Sequence, residues 1–171
     1  MPMKYVTTQY ISPLGEIGLA CSETALTALW LPGQKTFDRE AQRLPSPDNH
    51  PILSLCAGWL DRYFAGECPA SNELPLAPEG SPFRKRIWEL LLQIPCGETT
   101  TYGTLANQAA LLLGKERMSA QAVGGAVGAN PISIIIPCHR CLGSGGRLTG
   151  YAGGLHLKKY LLDLEGIPYS E

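Results

Sequence analysis

The stretch that decides this chain is Ser119-Ala120-Gln121-Ala122-Val123-Gly124-Gly125-Ala126-Val127-Gly128-Ala129-Asn130-Pro131-Ile132-Ser133-Ile134-Ile135-Ile136-Pro137-Cys138-His139-Arg140. Two textures meet in it at Asn130-Pro131. The first part predicts a helix over 119–129, with Ser119 as its cap. Its alanines and glycines leave almost no side-chain bulk, although each glycine costs about 1 kcal/mol of helix propensity relative to alanine. A helix that gives up both propensity and bulk lets something approach its backbone closely, either another helix or a nucleic-acid groove. The second part, Ile132–Ile136, is an apolar run of strand length. It predicts a buried strand that delivers Cys138-His139 at its end.

Upstream, Tyr102–Leu111 is a second helical stretch, separated from the first by a linker that contains Gly114. Short helix, turn and short helix suggest a helix-turn-helix, although many such pairs are packed hairpins. Ser81-Pro82 is a cap and first-turn signal for a helix with Phe83, Ile87, Leu90, Leu91 and Ile94 on one face, ended by Pro95-Cys96-Gly97. Downstream lies a glycine-rich loop, Gly143–Gly154. A last helix, Leu155–Glu165, then places Leu157, Leu161, Leu162 and Leu164 inward and stops at Gly166.

The first half has a different pattern. Tyr5–Ile11, Ile17–Cys21 and Ala25–Leu31 read as strands, with turns at Pro13-Leu14-Gly15 and Pro32-Gly33. Residues 34–49 are polar and dotted with proline. Pro51 opens an amphipathic helix that repeats Ile52, Leu55, Cys56, Trp59, Leu60, Tyr63 and Phe64 and ends at Gly66. Residues 67–80 read as a linker. The expected architecture is α/β of the α+β kind: an N-terminal sheet-plus-helix domain with linker over 1–80, then a mostly helical domain over 81–171 with a helix-turn-helix, winged-helix-like unit.

With 44% hydrophobic and 17% charged residues, the chain can fold around a core rather than stay disordered. No apolar run approaches the roughly 20 residues that span a bilayer, and the N-terminus lacks a signal-peptide core, so a cytoplasmic location is expected. The net charge of −1 hides an asymmetry. Residues 1–80 carry five Lys/Arg against nine Asp/Glu, net −4, and residues 81–171 carry nine against six, net +3. If nucleic acid is bound, the second half binds it. Six cysteines are too few and too scattered for a disulfide scaffold.

Cys138-His139 is the chemical centre. A thiolate, not a thiol, is the nucleophile, and a neighbouring imidazole can take the proton directly or through a water. The dipeptide alone also fits a core cysteine beside a chance histidine. Glu165 at a helix C-terminus and Lys158 in a first turn both sit against the macrodipole. Either can be surface noise, but Glu165 can also accept a hydrogen bond from His139 and fix its tautomer. Cys138-x-x-Cys141 lacks the second pair that a structural zinc site needs and the following helix that a thioredoxin-like site needs. The glycine-rich loop completes neither a P-loop nor a dinucleotide fingerprint, which leaves it as a pliable wall where Tyr151 can stack on a flat ligand.

Ile135-Ile136-Pro137-Cys138-His139-Arg140 resembles the active-site signature of the O6-alkylguanine-DNA alkyltransferases. The likeness extends through Ala122-Val123-Gly124-Gly125-Ala126, Asn130-Pro131, Thr149-Gly150-Tyr151-Ala152-Gly153-Gly154, Lys158 and Leu164-Glu165-Gly166. It implies single-turnover transfer of an alkyl group from O6-alkylguanine, and O4-alkylthymine, in double-stranded DNA onto Cys138. His139 would be a water-mediated base and Glu165 its orienting partner. Asn130 would tie helix to active-site segment, Tyr102 would protonate the departing guanine, and Lys158 would assist near the cysteine. The backbones of Cys138 and Cys141, with Ala152, would hydrogen-bond the flipped base, with Arg140 and Tyr151 among the DNA- and base-binding residues. Gln121, Ala122, Gly124 and Gly125 would enter the minor groove. The resemblance implies a monomer with no cofactor and no membrane partner. Two departures stand out: Gln121 occupies a position where the family commonly has arginine, and Cys141 replaces an aliphatic residue. Some members bind zinc in the first domain, but no ligand set here matches and none is expected. A lesion sensor without a reactive cysteine and a Cys–His–Glu hydrolase are the rivals.

Overall fold

The computed structural model describes residues 6–34 and 50–171. Tyr5 and the polar stretch 35–49 lie outside the described residues. The chain divides into two compact units, one formed by residues 1–79 with 131–133 and the other by 80–130 with 134–171.

In the first unit, β1 (Val6–Ser12), β2 (Gly15–Cys21) and β3 (Leu26–Trp30) form an antiparallel sheet in that order. The β1–β2 register, Ser12 against Gly15 through Val6 against Cys21, is set by a two-residue turn. Gly15 closes it at φ +117, a conformation that a side chain would strain. Central β2 is buried from Ile17 to Cys21, which is why its sequence is continuously apolar instead of alternating. Helix α1 (Pro51–Phe64) packs on all three strands. Its His50 cap accepts the Ile52 N–H at 3.2 Å. Leu53, Cys56, Trp59, Leu60 and Tyr63 make its buried face, while Leu55, expected there, is 49% exposed. Residues 131–133 extend the sheet: Leu29 N–H donates to Pro131 O at 2.9 Å, and Ile132 bridges Leu29 in parallel.

The second unit holds α2 (Pro82–Leu92), α3 (Tyr102–Leu112), α4 (Ala120–Gly128) and α5 (Leu155–Leu164). Side-chain caps open the first three: Ser81 accepts from Arg84, Thr101 from Thr104, and Ser119 from Gln121 and Ala122. Helices α2, α3 and α4 pack pairwise around Ile87, Trp88, Leu91, Leu105, Val123 and Ala126. The Trp88 indole donates to the Ala126 carbonyl at 2.8 Å, locking α2 to α4 without an unpaired buried N–H. A short parallel pair, β4 (Thr100–Thr101) with β5 (Cys141–Leu142), was not evident from the sequence.

The expected strand over Ile132–Ile136 does not form. Ile132, Ile134, Ile135 and Ile136 are buried, but the segment turns on itself and only Ile132 has a strand partner. Ile134 sits at φ +71, rare for a β-branched residue and incompatible with a strand. Asn130 closes the turn by donating Nδ2–H to the Ile136 carbonyl at 2.8 Å. Burial on every side produced the apolar run, and periodicity cannot separate that from a strand. Cys138 therefore opens a 3-10 turn, Cys138–Arg140, instead of ending a strand.

Candidate active site

Cys138 is buried, at 6% exposure, and is one of the free thiols. Burial pushes its pKa up, while hydrogen bonds from Asn130 and Tyr151 and the charge of Lys158 pull it down. The net shift is upward, so the resting group is a thiol and its reaction requires a proton acceptor.

A candidate acceptor is the next residue in the chain. His139 Nε2 meets Glu165 Oε2 in a very short contact, with both side chains buried. Burial holds the His139 pKa below 6.5 despite Glu165. Burial alone would raise Glu165, but hydrogen bonds and charge from His139 and Arg140 outweigh it and carry the carboxyl down to about 2. At neutral pH the pair is thus carboxylate and neutral imidazole, with the ring proton on Nε2 facing Glu165. Nδ1, buried and without a hydrogen-bond partner among the described residues, is left with a lone pair. That is the form a general base requires.

Around this chain stand three further predicted residues. The Tyr102 phenol is 3.1 Å from Thr149 Oγ1, and its pKa is raised, first by burial and further by Cys141 and Cys138. It stays protonated at neutral pH and so can donate a proton. Lys158 is fully buried in α5 and donates from Nζ to the Cys141 carbonyl at 2.8 Å. Its burial against the macrodipole, odd in sequence, is explained by that bond and by the two thiols. Cys141 lies in β5 with its thiol pushed up to about 12, mainly by burial.

Arg140 departs from its expected role among DNA-binding residues. Its Nε donates to Glu165 Oε1 at 2.7 Å and Nη1 to the Ile94 carbonyl at 2.7 Å, with the side chain 11% exposed. The guanidinium faces inward because a buried carboxylate needs a partner cation. Its neighbours Ile94, and Gly97 whose N–H lies 3.4 Å from Glu165 Oε1, carry no signal in the sequence. The position of Glu165 does carry one, since an anion capping a helix C-terminus calls for positive charge nearby.

A second surface of the same unit is formed by α4. Gln121, Ala122, Gly125 and Gly128 are exposed and Gly124 partly so. A methyl added at Gly125 or Gly128 would meet no atom within 4 Å, and at Gly124 it would make only ordinary contact with the Tyr102 ring. No helix or loop of the described protein therefore demands these glycines. Tyr151 and Ala152 lie in the turn before α5, with Ala152 exposed. A separate cleft of about 640 Å³, bounded by Ile94, Thr100, Thr104, Gln108 and Ile167 among others, includes neither Cys138 nor α4.

Residues 82–167 match the family model described as 6-O-methylguanine DNA methyltransferase, DNA binding domain, and residues 5–78 match the ribonuclease-like domain of the same family. A methylated-DNA–protein-cysteine methyltransferase of Haemophilus influenzae is 42% identical over 95% of this chain and 87% of its own length. One from Methanosarcina barkeri is 45% identical over 90% and 92%. Among solved structures, Mycobacterium tuberculosis O6-methylguanine methyltransferase aligns at a TM-score of 0.80 with 38% identity, covering 98% of this chain and 96% of that one. The same organism's OGT in complex with DNA aligns at 0.78 with 40% identity, covering 95% and 92%. With both halves matched in order and relatives alike over nearly their whole length, the chain belongs to the 6-O-methylguanine DNA methyltransferase family.

Proposed function

We propose that this protein repairs alkylated DNA by moving the alkyl group from O6 of guanine, and from O4 of thymine, onto its own Cys138, once per molecule. The observation that carries the reading is the buried Cys138 thiol backed by the His139–Glu165–Arg140 chain. Cys138 gives its proton toward His139 Nδ1, by way of water. Sγ then attacks the alkyl carbon as the carbon–O6 bond breaks, and the electron pair leaves on the guanine. The Tyr102 phenol supplies the proton that neutralises the departing base, and Asn130, Tyr151 and Lys158 stabilise the thiolate. A stacked base cannot present O6 to a buried sulfur, so the nucleotide turns out of the duplex. Cys141, Ala152 and Tyr151 bound its pocket, and α4 lies in the minor groove, where its missing side chains permit close approach. The thioether has no labile bond, so the thiol does not return. The two units serve as an N-terminal domain and a DNA-binding, alkyl-acceptor domain of a cytoplasmic monomer.

The test is incubation with a duplex carrying O6-methylguanine, followed by intact-protein mass. One methyl per molecule on Cys138, then arrest, is expected, while Cys138→Ser binds the duplex and leaves the lesion intact. Continuous turnover would indicate a hydrolase, and binding without mass gain a sensor.

A further inference from the structure

We propose that Arg140 is a positioning residue of this transfer: it keeps Glu165 a carboxylate, and so keeps Nδ1 of His139 free to accept the Cys138 proton. The inference rests on the alkyl-transfer reading, but its central claim, the state of His139, can be observed without any transfer.

Glu165 stands at a helix end. It caps the C-terminus of α5 at φ −85, ψ −1, beside the helix's own carbonyls, with its side chain 1% exposed. Burial and the macrodipole both oppose a negative charge there. Oε2 is committed to His139, and Oε1 receives Arg140 Nε at 2.7 Å and the weaker Gly97 N–H at 3.4 Å. Arg140 is anchored from its other arm by the Ile94 carbonyl, so the fork is set before any substrate arrives. Among the described residues, Arg140 acts on both members of the pair and Lys158 on His139, with Cys138 and Cys141 beyond Lys158. Lys158 is spent on the Cys141 carbonyl. Arg140 is a cation in direct contact with the carboxylate.

The protons can be counted. With one proton shared, Glu165 is ionised, Nε2 carries the hydrogen and Nδ1 holds a lone pair. If the pair takes up a second proton, it becomes either carboxylate with imidazolium or carboxylic acid with an Nδ1–H imidazole. Both forms place hydrogen on Nδ1 and disable the base. The pair titrates as a unit, and a positive charge in contact with it delays that uptake to lower pH. An opposite charge at this range shifts a carboxyl by roughly 1–3 units. Loss of Arg140 thus brings the disabled form toward neutral pH. The same bonds argue against a DNA contact, since a phosphate would have to compete with a buried carboxylate for the guanidinium.

The experiment uses the full chain and Arg140→Met, Arg140→Gln and Arg140→Lys, with 15N-labelled histidine spectra and single-turnover rates on the O6-methylguanine duplex across pH. Wild type should show His139 protonated on Nε2 and bare on Nδ1 near neutrality. In the Met and Gln variants Nδ1 should protonate about one unit or more higher in pH, and the acid limb of the rate should move with it. Their rate near neutrality should drop tenfold or more and recover toward wild type in alkaline solution. Arg140→Lys, which keeps the charge, should restore the limb. DNA affinity and its salt dependence should not change. A lower melting temperature with unmoved spectra and pH profile would overturn the proposal by making Arg140 a packing residue only. A loss of affinity with a salt slope shallower by about one would overturn it by making Arg140 a phosphate contact. If wild type transfers nothing, the alkyl-transfer reading fails, and the spectra alone decide whether Arg140 sets the state of His139.

Discussion

Two regions of the second unit treat charge and bulk in opposite ways. Helix α4 is stripped: its exposed face carries Gln121, Ala122, Gly125 and Gly128, with no charged side chain between Ser119 and Asn130. The turn Cys138–Arg140 with the two ends of α5 is dense, since a histidine, an arginine, a glutamate and a lysine are packed there out of solvent. Low dielectric strengthens each ionic contact inside the second region and would make any orphaned charge costly. On α4 the bare face leaves the backbone open to close approach. On the function proposed above, the dense region would prepare a proton transfer and the bare one would make room for the substrate.

The comparison breaks most visibly at Glu165. Glu165→Gln removes the anion that holds the Nε2 proton, so the single-turnover rate near neutrality should fall about tenfold or more, while DNA affinity stays near wild type. The stability consequence has a definite sign. His139 is depressed below 6.5 and Glu165 from 4.5 to about 2. In both cases the unfolded chain binds the proton more readily, so stability is full at neutrality. It should decline as pH falls below 6.5 through the His139 transition, then again between 4.5 and 2. Thermal unfolding followed across pH checks this, and Glu165→Gln should lack the second decline. An unchanged transfer rate would mean that the dense region does not set the reactivity of Cys138.

Gln121 tests the stripped region at its polar point. It stands exposed in the first turn of α4, and on the function proposed above it would fill the gap left by an extruded nucleotide. Gln121→Ala should slow repair of duplex DNA by roughly tenfold and leave reaction with free O6-methylguanine base nearly unchanged. Gln121→Arg should keep duplex repair and bind more tightly, with a steeper loss of affinity as salt rises. Equal damage to both substrates would assign the residue to the pocket instead.

The smallest effect is the most diagnostic of missing bulk. Because a methyl at Gly125 meets nothing, Gly125→Ala should stabilise the fold by up to about 1 kcal/mol in thermal or denaturant unfolding. It should nevertheless weaken DNA binding severalfold. A gain in stability with full affinity would show that the face is bare for another reason.

Much of this was legible along the chain. The caps at Ser81 and Ser119, the proline at the start of α1 and the apolar spacing located the helices, because those signals act within one or two turns. The tension of Glu165 at a helix end pointed to His139, since an anion placed against a dipole needs a compensating partner. The Ile132–Ile136 segment misled, because burial on all sides looks alike whether the backbone is extended or turned, and the Asn130 bond that closes the turn leaves no periodic trace. What sequence determined by itself is the helices and the strands of the first sheet, the family, and the adjacency of thiol and imidazole in the chain. What only the tertiary structure decided is where the groups point: Arg140 inward onto Glu165, Lys158 onto the Cys141 carbonyl, and Gly125 and Gly128 of α4 onto empty space. Direction depends on groups distant in the chain, such as the Ile94 carbonyl 46 residues before Arg140. Only folding brings those within the few ångströms at which hydrogen bonds act.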